Sequence, residues 1–351
     1  LNNGFNTTIV SCKYKMDSLT QVVLGAAVGE AVLGKKIGNR AILWGAIGAT
    51  IPDLDIVLKY FFDEITAIQM HRGVSHSLVF AILISPFLGW VANKIHKKLH
   101  DVSFKDWSIM FFMVVLTHSL LDAHTTWGTQ LFWPFEYRLA YQNIYVVDPF
   151  YTLPFLLFVI ITMFFKRNHH KRKLFNRIGI IVSSIYMLLT IIFKYVSHIS
   201  FKNQLNKEKI EYLELNTKPT PLNSILWNAL VETENGFITA YYSLFDSKEI
   251  QFSKEFKKNH QLLHPYKQQK VVQQLIEISN GWYYVEKSNN ELLFWDMRFG
   301  QSGLDPNNSP YIWCYKLSPD EFGEIRVNRL EPKFDKIDKI ISSIYLRAKG
   351  N

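Results

Sequence analysis

Cysteine is nearly absent. Only Cys12 and Cys314 occur in 351 residues, and two distant thiols make neither a disulfide framework nor a thiolate zinc knuckle. Cys314, in "YIWCYKL", reads as a small buried hydrophobe. Internal repeats and low-complexity tracts are also missing, which excludes solenoids and biased-composition tails. The opening "LNNGFNTTIVSCKYK" has no apolar core, so it is no signal peptide. Residues 1–15 are expected to be a non-native or disordered leader, with Met16 of "MDSLTQ" as the natural start.

Charge is scarce and unevenly placed. Charged residues make up 20% of the chain against 48% hydrophobic. Residues 1–200 carry 19 Lys/Arg against 11 Asp/Glu, a net of +8, and residues 201–351 carry 20 against 19, a net of +1. The basic excess therefore lies in the half that holds the long apolar runs. Basic clusters set between apolar runs read as membrane topology, and no basic face of a soluble fold is left to hold nucleic acid.

Six apolar segments are present, at residues 19–34, 41–59, 77–93, 107–121, 149–165 and 178–196. A membrane-crossing helix needs about 20 apolar residues. The last four segments reach or approach that length. The first two are interrupted by Glu30 or ended by Asp53 and Asp55, which leaves a packed or re-entrant helical pair open. Gly25 and Gly29, like Gly45 and Ala49, are spaced by four, a pattern that permits close helix contact in lipid. The loops "KKIGNR", "KIHKK" and "KRNHHKRK" are basic and alternate with loops holding "PDLD", "HRGVSH", "DAHTTWGTQ" and "NIYVVDPF". With the basic loops in the cytoplasm, six spans place every polar motif and the chain after residue 198 on the outer side.

From about residue 200 the composition changes. "FKNQLNKEKIEYLELNTKPTPLN" is a polar linker. Two aromatic and β-branched stretches with turn signals at 234–236 and 288–290 read as β-hairpins, and the segment between them reads as helix. The expected fold is an all-α multi-span membrane domain of about six helices at 16–198, a linker at 199–214, and a small soluble α+β domain at 215–351.

The chemistry-bearing residues sit at the ends of the apolar segments. Asp53 and Asp55 follow Pro52, and carboxylates there are costly unless hydrated, paired or metal-bound. His71, Arg72 and His76 lie in "HRGVSHS", where Ser75 is expected to cap the helix that His76 begins. His118 and Asp122 are four apart on one helix and face the same way. They form either a shared metal site or a hydrogen bond stabilising a polar contact. Asp148 precedes Pro149 and serves as well for an N-cap as for a ligand. Imidazole and carboxylate donors without thiolate suit zinc, with manganese or iron as alternatives. Such an ion supplies hydroxide near neutral pH.

In order, "MDSLTQVVLGAAVGE", "IPDLDIV", "HRGVSHS", "THSLLDAHTTWGTQ" and "VVDPFYTLP" resemble the YdjM-like inner-membrane metal-dependent hydrolase family, also described as LexA-binding, membrane-associated hydrolases. The resemblance covers roughly residues 16–200. It implies a bacterial inner-membrane protein with candidate ligands Asp53, Asp55, His71, His76, His118, Asp122 and Asp148. Many members carry His where this chain has Gln21, and an amide is a poor zinc ligand.

The expectation is a metal-activated water attacking a phosphoester or other ester of a lipid or lipid-linked substrate at the bilayer surface. His71, His76, His118, Asp122 and Asp55 are assigned to metal. Asp53 and Asp148 are assigned to the shell or to general-base work, and Arg72 to the developing negative charge. Two rivals stand beside it. "HSLLD" matches the His-x-x-x-Asp pairing of metal-independent lipid phosphatases, although their companion Arg-rich and Pro-Ser-Gly-His signatures are missing. A transporter or scaffold is the other. Conduction would string carboxylates along the interior of several spans, whereas here they gather at span ends.

Overall fold

In lipid, an apolar segment can satisfy its backbone only within itself, which selects helix. All six apolar segments are helical in the structure, a computed structural model that describes residues 8–288, 291–330 and 337–351, with side chains from residue 19 onward. The elements are α1 (Thr8–Ile37), α2 (Asn39–Thr50), a 3-10 segment (Pro52–Tyr60), α3 (Glu64–Met70), a 3-10 turn (Val74–His76), α4 (Leu78–Ile95), α5 (Phe104–Ala123), α6 (Pro149–Met163) and α7 (His170–Glu208). α1 includes residues 8–15, which the sequence reading places in a leader; residues 1–7 lie outside the described residues.

Among the described residues α4, α5 and α7 are long and apolar enough to cross a membrane. α2 and the following 3-10 segment make a fourth span if taken as one, bent by 40° at the break. Pro52 lies at that break and cannot donate a backbone hydrogen bond. The expected six spans thus become three or four. With 15 residues, α6 reaches about 22 Å, short of a core about 30 Å thick. α1 carries Glu30, Lys35 and Lys36. Glu30 is buried in an ion pair, accepting from Arg172 Nε at 2.7 Å and Nη2 at 2.5 Å.

The small-residue spacing works as expected. Gly25 and Gly29 of α1 meet Gly45 and Ala49 of α2 so closely that a Cβ on Gly45 would strike the backbone carbonyl of Gly25. α5 lies against α1, α2 and α4, and its Trp107, Met110, Phe111 and Val114 are fully buried in the core they share.

Residues 63–69 and 190–351 form a second compact unit. It holds two four-stranded antiparallel meanders. The first is β1 (Glu214–Pro219), β2 (Leu226–Glu232), β3 (Gly236–Ser243) and β4 (Phe256–Lys257). The second is β5 (Tyr283–Ser288), β6 (Glu291–Gln301), β7 (Tyr311–Pro319) and β8 (Ile325–Leu330). Both expected hairpins form, as β2–β3 and β5–β6. The segment between them is only partly α-helical: β4, a 3-10 segment (His260–Tyr266) and then α8 (Lys270–Ser279). Each helix packs on the meander that does not immediately precede it, α8 against β6 and β8, and α9 (Ile337–Ala348) against β2. The linker is shorter than expected, because α7 runs on to Glu208 and buries Phe201 and Leu205 against Trp227 and Ile238.

Candidate metal centre

Three segments distant in sequence supply the site. On α5, His118 and Asp122 lie one helical turn apart, with Nε2 and Oδ2 separated by 3.5 Å. His76 ends the short 3-10 turn before α4. That turn is closed by His76 N donating to Gly73 O at 3.1 Å. α4 is capped by Ser77, whose Oγ accepts from Phe80 N at 3.0 Å. This corrects the expected cap at Ser75. Asp53 comes from the first turn of the 3-10 segment that follows Pro52.

Asp53, His76, His118 and Asp122 each offer one donor atom, and these atoms lie within 4.8 Å of one another. His76 Nε2 is 3.2 Å from His118 Nε2, 3.2 Å from Asp122 Oδ2 and 3.4 Å from Asp53 Oδ1. His118 Nε2 is 3.5 Å from Asp53 Oδ1. A tetrahedral zinc ion with bonds of about 2.0–2.1 Å separates its ligands by about 1.63 times that length, or about 3.3–3.4 Å. Five of the six separations among the four residues, 3.2 to 3.5 Å, bracket that edge, and the sixth, Asp53 to Asp122, lies within 4.8 Å. Without an ion, Nε2 protons donated to the carboxylates would hold part of this cluster, but two such protons would clash across the 3.2 Å His76–His118 edge. Among the described residues Asp122 Oδ2 accepts no aligned hydrogen bond although it is buried, and His118 Nδ1, which is not the nitrogen facing the cluster, has no partner. The donor set fits a divalent ion of zinc type.

The other expected ligands stand outside this tetrad. Asp55 Oδ1 lies 2.9 Å from His71 Nδ1, and its Oδ2 accepts from Arg72 N at 3.0 Å and Ser75 Oγ at 2.8 Å. Ser75 Oγ is in turn 2.9 Å from His76 Nδ1. Asp55 is thus a support that orients His76 through its far nitrogen, and His71 binds the support. Asp148 caps α6, accepting from Phe150 N at 2.9 Å, and its other oxygen accepts from Tyr186 Oη at 2.8 Å. Neither oxygen is among the four donor atoms of the tetrad. Arg72 is buried, its Nε 3.1 Å from Asp122 Oδ2 and its Nη1 donating to Thr125 Oγ1 at 2.7 Å. It neutralises a ligand carboxylate.

Gln21, whose amide can hydrogen-bond a ligand although it is a poor zinc ligand, does so: its Nε2 donates to Asp122 Oδ1 at 2.7 Å, which turns Oδ2 towards the histidines. Sequence reasoning misses other supports. Ser75 and Thr125 read from the sequence only as a cap and as a small hydroxylated position. Arg138 Nη1 donates to His71 O at 3.1 Å, and nothing local in "EYRLAYQ" marks it. His124, part of the same histidine-rich stretch, turns away to Asn143 Oδ1 at 2.7 Å.

Apolar helices that gather two histidines and two aspartates about one point define a membrane protein with a candidate metal centre. The chain belongs to the YdjM inner membrane protein family, whose model matches residues 16–199. It is similar to the inner membrane protein YbcI of Escherichia coli (strain K12), 29% identical over 152 residues that cover 41% of this chain and 86% of that one. No solved structure matches it. Residues 200–351, which hold both meanders, lie beyond the family match.

Proposed function

We propose that the protein is a membrane-bound metal-dependent hydrolase that cleaves a phosphoester or other ester of an amphiphilic, lipid or lipid-linked substrate. The observation that carries this reading is the convergence of one donor atom each from Asp53, His76, His118 and Asp122, with five of their six separations at 3.2 to 3.5 Å. A zinc-type ion held there supplies a Lewis acid and lowers the pKa of bound water. The chain's own residues do the rest. His76, His118 and Asp122 are buried and fixed by Asp55, Ser75, Gln21 and Arg72. Asp53 is the one partly exposed ligand, with 28% of its side chain accessible. Solvent and substrate therefore approach past Asp53, whose carboxylate is placed to accept a proton from an incoming water.

The membrane orientation belongs to the same proposal. With α6 crossing a locally thinned bilayer as a fifth span, the basic loops at 35–40, 94–98 and 166–173 assign that end of the helices to the cytoplasm, and the metal centre with the C-terminal unit to the outer side. In support, residues 63–69, which run directly into the His71 motif, pack within the C-terminal unit. Gln274 Nε2 donates to Thr66 Oγ1 at 3.1 Å and to Gln69 Oε1 at 2.9 Å.

One observation favours a second reading. Four protein ligands close a tetrahedron, as in structural zinc sites, whereas catalytic sites usually keep a position open. On that reading the ion clamps the bundle and the protein is a scaffold. The two readings separate on purified protein, wild type beside His118→Ala, assayed for bound metal and for hydrolysis of chromogenic phosphoesters and lipid esters. The hydrolase reading expects about one zinc per chain and chelator-sensitive turnover, both lost in the variant. Bound metal without turnover supports the clamp. Metal near zero in both proteins refutes the two readings together.

A further inference from the structure

We propose that residues 129–139 form an aromatic hairpin seated in the headgroup–acyl boundary of the bilayer, beside the metal centre. The hairpin closes by mutual backbone bonds, Thr129 N to Leu139 O at 3.0 Å and Leu139 N to Thr129 O at 2.9 Å. Gly128 makes the turn into it with φ of 70°, where a Cβ would strike the Leu139 carbonyl. Its tip leaves Phe132, Trp133, Phe135 and Tyr137 exposed, the last two by 72% and 70%. An aqueous loop has no reason to present four rings within six residues. Contiguous exposed apolar surface marks a contact site.

Position decides what covers the rings. The hairpin backbone is bonded to the start of α4, where Leu78 N donates to Leu131 O at 2.9 Å, and to the ligand loop, where Gln130 N donates to Arg72 O at 3.1 Å. It leaves the C-terminal end of α5 through residues 124–128. It therefore lies where two apolar spans meet the membrane surface, the depth at which Trp and Tyr rings gather. Arg138 lies over the Trp127 ring at 5.5 Å while its Nη1 holds His71 O, so the seat of the tip is tied to the ligand loop. The 3-10 segment that carries Asp53 also exposes Leu54, Val57 and Tyr60. The exposed ligand is thus rimmed by apolar side chains, which suits a substrate that stays anchored in the bilayer.

The inference rests on the membrane assignment and not on hydrolysis, so the two fail separately. The test is site-directed spin labelling of the full chain in vesicles of phosphatidylethanolamine and phosphatidylglycerol, in a Cys12→Ser, Cys314→Ala background. A label at Phe135→Cys is compared with one at Leu83→Cys, exposed on α4, and one at Glu234→Cys, in the β2–β3 turn. The expected result is a ratio of oxygen to nickel-complex accessibility several-fold above that at 234 and near that at 83. A ratio equal to that at 234 puts the tip in water and overturns the proposal. Low accessibility to both reagents means that protein covers the tip, and it overturns the proposal equally. Should Phe135→Cys fail to fold, Tyr137→Cys reads the same tip.

Discussion

His76 Nε2 and His118 Nε2 face each other at 3.2 Å although 42 residues separate them in the chain. Both rings are buried, and the carboxylates of Asp53 and Asp122 close the other sides. X-ray absorption of the zinc-loaded protein should therefore give nitrogen and oxygen neighbours at about 2.0–2.1 Å. Two imidazole outer shells are expected and no sulfur shell. A sulfur neighbour would contradict the site outright, because none of its four donors is a thiol.

The supports should tune affinity without setting the fold. Gln21→Ala frees Asp122 Oδ1, and Asp55→Ala removes the acceptor behind His71, Arg72 and Ser75. Each is expected to weaken zinc binding by roughly 10–100-fold, measured by competition with a chromogenic chelator. Asp148→Asn, at a residue outside the tetrad that caps α6 and accepts from Tyr186, should cost less affinity than either. A loss there equal to that of Asp55→Ala would mean the ligand set has been misassigned.

Gly45→Leu tests the α1–α2 contact. No side chain fits between the two backbones, and overpacking costs roughly 1–3 kcal/mol even where neighbours can shift. Detergent-solubilised variant should melt lower or fail to accumulate. An unchanged melting temperature would show that the helices do not approach as described.

The orientation is open to labelling. A cysteine at Glu234, placed in the Cys12→Ser, Cys314→Ala background, should react with a membrane-impermeant maleimide in intact spheroplasts. Reaction only after lysis would place the C-terminal unit in the cytoplasm and reverse the topology.

Lys218, buried on β1, donates to Met297 O at 3.0 Å and to Arg298 O. Burial pulls its pKa down from 10.5 to about 7, against the opposing pull of Asp296. The unfolded chain then binds more protons than the folded one between about pH 7 and 10.5, so stability rises with pH across that window and falls as pH drops towards 7. The slope is at most about 1.4 kcal/mol per pH unit. Burial pushes the Cys314 thiol up to about 12, which works in the opposite sense above about pH 9, so Lys218 is read best in the lower part of the window, pH 7–8. Melts of the second unit in wild type should rise over that range, and Lys218→Met should flatten the rise. Parallel curves would remove Lys218 as the cause.

Apolar runs, span-end charges and turn signals are enough to place a helical membrane region before a mixed domain with two hairpins. They also nominate every member of the tetrad, because an ionisable group at the end of an apolar segment is too costly to be idle. Roles are less legible. The sequence leaves Asp53 open as ligand shell or general base, and the structure sets it within the tetrad. It assigns His71 and Asp55 to metal, yet both stand one layer out, and it gives Ser75 a cap that Ser77 makes. Spacing says which groups share a helix face, but not which oxygen of an aspartate a neighbouring loop has already taken.

The sequence by itself determined the bilayer as solvent, the elements that answer to it and the pool of imidazoles and carboxylates, since transfer cost and helix period are local properties. Only the tertiary structure decided that four of that pool converge while Asp148 stays outside the four donors and His124 turns to Asn143. Convergence depends on how the bend at Pro52 and the turn at Gly73 aim side chains from distant segments, and no local pattern carries that information.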